Sequence, residues 1–493
     1  MVLQLIGHEY KYAVEQIMLS LFPSERPVYD SSVIEAMSAT TTLKYTEYYA
    51  NATTVIQRGN DVSRGITRVR RSALTDEIAK DRNLQRIIKQ SFFQAAACFV
   101  ETPPVWGSLT GIRPAQIAAA LLSGKGYAAA RKFLTQEYKV ASEQAELCLE
   151  AALAALTLKR SVEPGDIAFY VGIPFCPSRC AYCSFVSNSV EKSFGMIESF
   201  SKALLREIDL AAKLIKALKL RVISVYVGGG TPTALPIDDF EALLRTLKDS
   251  IDLSSIREYT VEAGRPDTIT GQKLNIMRRS GVKRVCVNPQ SMSRKVLEAI
   301  GRKHTPEDAA HAVRLVRQSG MALNMDVIAG LPYDTPRGFG KTLDTVLDFS
   351  PENLTVHTLS LKKGSRIMLE NTAKPSGADV AAMHKYASQR LREYGFSPYY
   401  LYKQKFASGG YENVGWCLPG HEGIYNICMM EELCTVLGLG GGAVTKLVSP
   451  GGRIERIFNA KYPREYIMDS DDSLSDKMMN KYDRIRNTIQ QGE

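Results

Sequence analysis

Long apolar runs are missing from this chain of 493 residues, and with no stretch of eighteen apolar residues anywhere, no transmembrane helix is expected. The amino-terminal Met-Val-Leu-Gln-Leu-Ile-Gly-His carries no basic region ahead of a long apolar segment, so no export signal is read there and the expected compartment is the cytoplasm. Cysteine is sparse, with nine in all. Six of them, Cys98, Cys148, Cys286, Cys417, Cys428 and Cys434, stand singly in apolar contexts, which suits reduced, buried thiols better than a disulfide framework. No internal repeat is found. Basic residues are not segregated either: the densest run, Arg64-Gly-Ile-Thr-Arg68-Val-Arg70-Arg71, is followed by Asp76, Glu77 and Asp81, so a nucleic-acid partner is not expected. The net charge of +10 reads as ordinary solubility. What remains is a globular composition, 45% apolar and 23% charged, able to bury a sizeable core in two or three domains.

Against that background three cysteines crowd together. In Tyr170-Val-Gly-Ile-Pro-Phe-Cys176-Pro-Ser-Arg-Cys180-Ala-Tyr182-Cys183 they fall at spacings of four and three residues, directly after an apolar run at 167–173. Nine cysteines scattered at random would give that pair of spacings with a probability of roughly 0.003. Three soft sulfur ligands from one loop can hold three irons of a [4Fe–4S] cube, leaving the fourth iron for a ligand that is not protein. A structural zinc would need a fourth ligand, and apart from Cys148 no Cys or His lies within thirty residues on either side.

From residue 167 the pattern alternates between strands (167–173, 222–227, 258–262, 284–287, 323–328 and 354–359) and helices (196–218, 238–249, 269–280, 294–300 with 306–319, and 337–349). Six strand–helix units predict an α/β fold with a parallel sheet, a partial (β/α)6 barrel at 161–372. Ahead of it, 1–100 reads as a small α+β region with strands at 2–6, 42–48 and 53–58 and helices at 8–21 and 74–99, and 101–160 as a helical region. Residues 373–493 read as a C-terminal α+β extension on the substrate side, its end beyond about 465 a surface helix or tail.

Sites in such folds are built at strand ends, where polar groups recur here. The second strand ends in Val227-Gly228-Gly229-Gly230-Thr231-Pro232, whose bare backbone can approach a ligand closely or make a plain turn. Glu262 closes the third strand, Gln290 follows the fourth, Arg302 follows a short helix, and Asp326 sits inside the apolar fifth. A carboxylate in such a strand must be paired or bound, so each of these residues is either a ligand contact or part of an internal ion pair or hydrogen bond. In the extension, alternation puts Tyr400, Tyr402 and Gln404 on one face beside Lys403 and Lys405, which suits a flat macrocycle bearing carboxylates or an ordinary sheet edge. Arg265, in a turn at a strand end, is a further candidate cation.

The triplet, with Tyr182 before its third cysteine, resembles the radical S-adenosylmethionine signature. The resemblance implies a [4Fe–4S] cluster on Cys176, Cys180 and Cys183 and either one or two molecules of S-adenosylmethionine. In that superfamily the amino and carboxylate groups of the cofactor chelate the fourth iron, and one-electron cleavage yields a 5′-deoxyadenosyl radical. Tyr170, the triplet, Gly228-Gly229-Gly230-Thr231-Pro232, Glu262, Gln290, Arg302 and Asp326-Val-Ile-Ala-Gly-Leu-Pro stand in the order and spacing of the oxygen-independent coproporphyrinogen III oxidase family. By that resemblance Tyr170 stacks near the cofactor and joins the three cysteines at the reacting centre. Gly228, Gly229, Gly230 and Thr231 contact the methionine part, Arg302 holds its carboxylate, Asp326 a ribose, and Glu262 and Gln290 line the cofactor sites. The flanks, Trp106-Gly-Ser-Leu-Thr-Gly-Ile-Arg-Pro, Thr355-Val-His357-Thr-Leu and the run from Tyr399 to Lys446, are similar to the coproporphyrinogen dehydrogenase (HemZ) branch.

The implied reaction is oxidative decarboxylation of coproporphyrinogen III to protoporphyrinogen IX in anaerobic haem biosynthesis, with an electron donor such as flavodoxin or ferredoxin. One departure stands beside it: Phe185 occupies the place of a fourth cysteine in the well-studied oxidases, as it does in the family's haem chaperones. The same scaffold carries haem chaperones, radical methyltransferases and tetrapyrrole- or tRNA-modifying enzymes, which are the alternatives.

Overall fold

Apolar and polar residues alternate over Met37–Tyr45, Tyr49–Arg58 and Asp61–Arg70, and in the computed structural model these stretches are the antiparallel strands β2, β3 and β4, to which β1 (Val2–Ile6) adds parallel to β2. The structure describes residues 1–30, 35–183, 188–360, 365–369, 372–405, 407–449, 452–469 and 471–490; Phe185 lies outside them. Helices Lys11–Leu21 and Glu77–Ala96 cover one face of this sheet, where Leu3, Ala39, Leu43, Ala52, Ile56 and Val69 pack with Val14, Ile17, Ile88 and Phe92. Asp76 starts the second helix by accepting from the Ala79 amide at 2.8 Å. The basic run of the sequence is strand β4, and the strand expected at 42–48 ends at Tyr45, where the chain turns. The chain forms two compact units, Met1–Leu149 and Glu150–Glu493. Among the described residues no helix is long and apolar enough to cross a membrane.

The second unit is built on an eleven-stranded sheet. In chain order it holds β5 (Asp166–Ile173), then, beside the short separate pair β6 (Phe175–Cys176) and β7 (Asn188–Ser189), β8 (Arg221–Gly229), β9 (Glu258–Glu262), β10 (Arg284–Gln290), β11 (Ala322–Ala329) and β12 (Asn353–Thr358). All six long strands expected from the alternating pattern form, and they run parallel, each beside the next. The sheet stays open rather than closing into a barrel. Strands β13 (Ser397–Lys403) and β14 (Glu412–Cys417) extend it antiparallel beyond β12, while β15 (Thr435–Gly440) lies parallel to β5 and leads to β16 (Val444–Val448) and β17 (Ile454–Phe458). One face carries Phe169, Val225, Val261, Val285, Met325 and Leu354, all fully buried. The register puts Tyr170, Tyr226, Glu262, Cys286, Asp326 and His357 together on the other face.

The end of the chain departs from expectation. Helix Asp471–Gln490 is no surface tail, since Leu474, Met478, Lys481 and Ile485 are all buried. The cause is a buried charge pair: Lys481 Nζ lies 3.3 Å from Glu207 Oε1 and donates to the Gly438 carbonyl at 3.0 Å. Glu207 also accepts from the Gly440 amide at 2.8 Å, Asn459 Nδ2 at 2.8 Å and the Tyr466 hydroxyl at 2.7 Å. Removing one partner strands the other charge in the core, at a cost of about 3–5 kcal/mol. Lys481→Met should therefore lower the urea midpoint by a corresponding amount, with Glu207→Gln added to it restoring part of the loss; equal midpoints for wild type and Lys481→Met would refute the pairing.

Candidate functional site

The cysteine loop leaves the carboxyl end of β5 and is pinned to the end of β8. The Gly230 amide donates to the Ile173 carbonyl and the Thr231 amide to the Phe175 carbonyl, each at 2.7 Å. Thr231, itself buried, gives its hydroxyl to Cys176 Sγ at 3.5 Å. A Cβ at Gly230 would stand 2.5 Å from the Phe175 carbonyl oxygen and 3.0 Å from Cys176 Sγ, and one at Gly228 would stand 3.0 Å from Glu262 Oε2. Gly229, at φ +102°, adopts a conformation open to glycine. The space these glycines free is thus filled by the protein's own atoms: they let the cysteine loop and Glu262 close on the strand end.

Farther round the loop, the Cys183 amide donates to the Cys180 carbonyl at 3.1 Å and the Ala181 amide to the Ile300 carbonyl at 2.9 Å. Two buried arginines grip it. Arg302 donates to the Tyr182 hydroxyl at 3.2 Å and the Gly264 carbonyl at 3.2 Å, and it hydrogen-bonds Cys180. Arg265 donates to Ser178 Oγ at 2.9 Å and to Asp267 at 3.1 Å, so its charge is committed to the loop and to Asp267, and the expectation that it is a cation reaching for substrate is corrected. Cys176, Cys180 and Cys183 are half-buried, whereas Cys148, Cys286, Cys417, Cys428 and Cys434 are buried. Cys98 corrects the expectation of burial: it follows the end of helix Glu77–Ala96 and is exposed. Among the described residues no three His, Cys, Asp or Glu side chains meet on a single-ion site, a convergence that a cube does not need because each thiolate binds a different iron.

The inward face continues the site across the sheet. Glu262 accepts from the Tyr226 hydroxyl at 2.5 Å and from the Gly229 amide. Burial pushes its pKa up to about 7, against the pull of the Tyr226 hydrogen bond. Asp326 accepts from Asn324 Nδ2 at 3.1 Å, and its other oxygen lies 3.5 Å from His357 Nε2. His357 Nδ1 lies 3.3 Å from Asn413 Oδ1. Burial opposes a charged imidazole there, but the pairing with Asp326 outweighs it and the pKa of His357 is raised. Tyr170 stacks with Tyr425 at 5.7 Å and Tyr226 at 6.5 Å, and those two stack at 4.5 Å. Sequence reasoning missed this aromatic group. Tyr226 stands two residues before the glycines, where strand alternation could have marked it, but Tyr425 arrives on helix Ile424–Glu431 from far along the chain with no spacing signal.

Gln290 is buried at φ +68°, a conformation a non-glycine residue rarely takes and one that marks functional sites. Its side-chain oxygen, the Asn288 side-chain oxygen and Arg302 Nε are buried without a hydrogen-bond partner. Arg302 also donates to the Asn288 carbonyl, so these unpaired groups belong to one neighbourhood. Two acceptors and a guanidinium N–H left open at a buried site fit a zwitterionic ligand with an ammonium and a carboxylate. Tyr400, in contrast, is buried rather than exposed beside the lysines. It shares a face with Tyr402, the two rings stacking at 6.2 Å, and is buried because its ring fills the space left by Gly415; a Cβ there would stand 1.7 Å from the ring. Tyr402 and Lys403 are half-buried and Lys405 is exposed.

Residues 170–346 match the radical SAM superfamily, a class of proteins that use a [4Fe–4S] cluster and S-adenosylmethionine. The chain is 40% identical over 371 residues to the oxygen-independent coproporphyrinogen-III oxidase-like protein HemZ of Bacillus subtilis (strain 168), covering 73% of this chain and 74% of that protein. It is 24% identical to the heme chaperone HemW of Escherichia coli (strain K12), over 61% of this chain and 75% of HemW. Among solved structures, coproporphyrinogen III oxidase (HemN) from Escherichia coli shares the fold, with a TM-score of 0.50 at 20% identity over 66% of this chain and 73% of that one. The chain belongs to the HemN/HemZ family of radical SAM proteins, as the motifs led us to expect.

The raised pKa of Glu262 has a measurable sign. Between its ordinary value of 4.5 and about 7 the folded protein holds a proton that the unfolded chain has lost, so this group lowers stability as pH rises through that window. Glu262→Gln keeps a partner for Tyr226 and removes the effect. In protein free of cofactors, the stability of the variant relative to wild type should be greater at pH 8 than at pH 5; an offset independent of pH would show that this carboxyl does not titrate there.

Proposed function

We propose that this protein removes two propionate carboxyls from coproporphyrinogen III, leaving vinyl groups. The observation that carries this reading is the 40% identity to HemZ over 74% of that protein, against 24% to HemW. In this reading Cys176, Cys180 and Cys183 hold the cluster, while Tyr170, Gly228, Gly229, Gly230, Thr231, Glu262, Gln290, Arg302 and Asp326 hold S-adenosylmethionine. Bound together, the two cofactors supply one-electron cleavage of a sulfonium and so a carbon radical able to take a hydrogen atom.

The residues of the chain bind, orient and exclude water. Arg302 offers a buried guanidinium N–H to a carboxylate, and the open side-chain oxygens of Asn288 and Gln290 accept from an ammonium or a hydroxyl. Asp326, steadied by Asn324 and His357, presents carboxylate oxygens for ribose hydroxyls. The stacked Tyr170, Tyr226 and Tyr425 close the inward face against water. At each propionate one hydrogen atom is lost from the carbon next to the macrocycle, carbon dioxide leaves, and the remaining electron passes to an acceptor. A flavodoxin or ferredoxin would feed electrons to the cluster.

A second reading, a haem-binding chaperone, is favoured by Phe185 at the place of the fourth cysteine. Coproporphyrinogen III labelled in its propionate carboxyls, incubated anaerobically with reductant and S-adenosylmethionine, should release labelled carbon dioxide together with 5′-deoxyadenosine. Stoichiometric haem binding without release would support the chaperone, and cofactor cleavage without release would remove this substrate. Arg302→Lys, which keeps the charge but loses contacts to the cysteine loop, should lower the melting temperature and also weaken S-adenosylmethionine binding roughly tenfold to a hundredfold by calorimetry on the folded variant with full iron content; normal binding by the folded variant would make Arg302 a structural residue only.

A further inference from the structure

The sheet of the first unit has a second face, which its helices leave open. The alternation that turns Gly65 and Val69 toward helix Glu77–Ala96 turns Val62, Arg64, Ile66, Arg68 and Arg70 of β4 outward, and all five are exposed. In register beside them, β3 presents Tyr49, Asn51, Thr53, Val55 and Gln57, and β2 beyond presents Ser38, Thr40, Thr42 and Lys44. Gln4 and Ile6 of β1 complete the face. None of these residues is Asp or Glu. The acids that dilute the basic run in sequence are separated from it in space: Asp76 caps the helix on the opposite face, Glu77 pairs with Lys80 in its first turn, and Asp81 lies farther along the same helix. Glu47 and Asp61 lie at the two opposite ends of β3, in or beside its turns.

We propose that this face binds single-stranded nucleic acid. Residues two apart on a strand lie about 6.7 Å from each other, so Arg68 and Arg70, with Arg64 farther along, set out guanidiniums in a line that a phosphodiester backbone can follow. The Arg68 guanidinium lies 4.6 Å from the ring centre of Tyr49, which is directly opposite Arg70, and Tyr48 in the adjoining turn is 66% exposed. Cations interleaved with aromatic faces are what a strand with unstacked bases requires, and the hydroxyl and amide groups of Thr40, Thr42, Thr53 and Asn51 can reach base edges. A duplex would leave the tyrosines without a free base to stack on. A purely acidic protein segment would pair with the arginines and have no use for Tyr49.

The test uses the whole 493-residue chain with a short fluorescent uridine-rich RNA and its DNA equivalent, followed by anisotropy. Either strand should bind at about 50 mM salt, with log affinity falling against log salt at a slope of about −2 for three phosphate contacts at roughly 0.7 each. The tighter of the two names the source. Arg64→Glu, Arg68→Glu and Arg70→Glu together should cost at least about tenfold and flatten the slope. Tyr49→Leu should cost roughly tenfold and leave the slope unchanged. All these positions are on the surface face, so iron content and melting should stay at wild-type values and report folding separately. Failure of wild type to bind either strand, wild-type affinity in the triple variant, indifference to Tyr49→Leu, or equal competition by polyglutamate at matched charge would each overturn the proposal, the last assigning the face to an acidic protein segment.

Discussion

The contact on which the candidate site depends is a close approach of backbone to backbone. Main-chain atoms of Ile173 and Phe175 lie where a side chain at Gly230 would have to be, and that nearness allows the two hydrogen bonds from Gly230 and Thr231 that fix the start of the cysteine loop. Neither bond survives a Cβ at this position without movement of main chain, which is costly in a packed interior. Because Gly228 likewise makes room for Glu262, one run of glycines joins β5, β8 and β9 at their carboxyl ends. The inward-facing polar residues Glu262 and Asp326 and the stacked Tyr170 and Tyr226 then follow from ordinary parallel register.

An arrangement of this kind works against stability locally. Buried polar atoms without partners cost on the order of 1–3 kcal/mol each, and three of them stand together at Asn288, Gln290 and Arg302 beside a backbone strained at Gln290. A raised carboxyl pKa at Glu262 adds an unfavourable term at neutral pH. Such features persist only where the surroundings hold them in place. Here the apolar face of the same six strands is fully buried beneath helices, so the polar face is presented from a rigid support.

Local pattern carried much of this into view before the structure did. The six parallel strands were legible because each alternates with a helix at regular spacing, and the cysteines because their ligand geometry lies within one loop. What escaped was whatever depends on pairs distant in the chain. The partnership of Asp326 with His357, the stacking of Tyr425 on Tyr170, and the burial of Lys481 against Glu207 leave no local trace, since each half looks unremarkable alone. Tyr400 shares a face with Tyr402 as alternation assigns, but its burial against Gly415 of β14 depends on a partner strand that its own stretch does not reveal. On β4, charges adjacent in sequence are divided between strand and helix in space.

The C-terminal residues bear on the site more than their distance from the cysteines suggests. Strand β15 lies against β5 with Gly440 opposite Gly172, so close that a Cβ on Gly440, which is held at φ +88°, would stand 2.2 Å from the Gly172 carbonyl oxygen. The Gly440 amide in turn donates to Glu207, the carboxylate that Lys481 neutralises. Gly172 is one residue before the end of β5, and the cysteine loop begins just beyond. A continuous series of contacts therefore runs from the last helix through Glu207 and Gly440 to the strand that launches the loop. The helix at the end of the chain thereby braces the strand that launches the cysteine loop, in addition to the close approach at Gly230 and the grip of Arg302 and Arg265 on the loop itself.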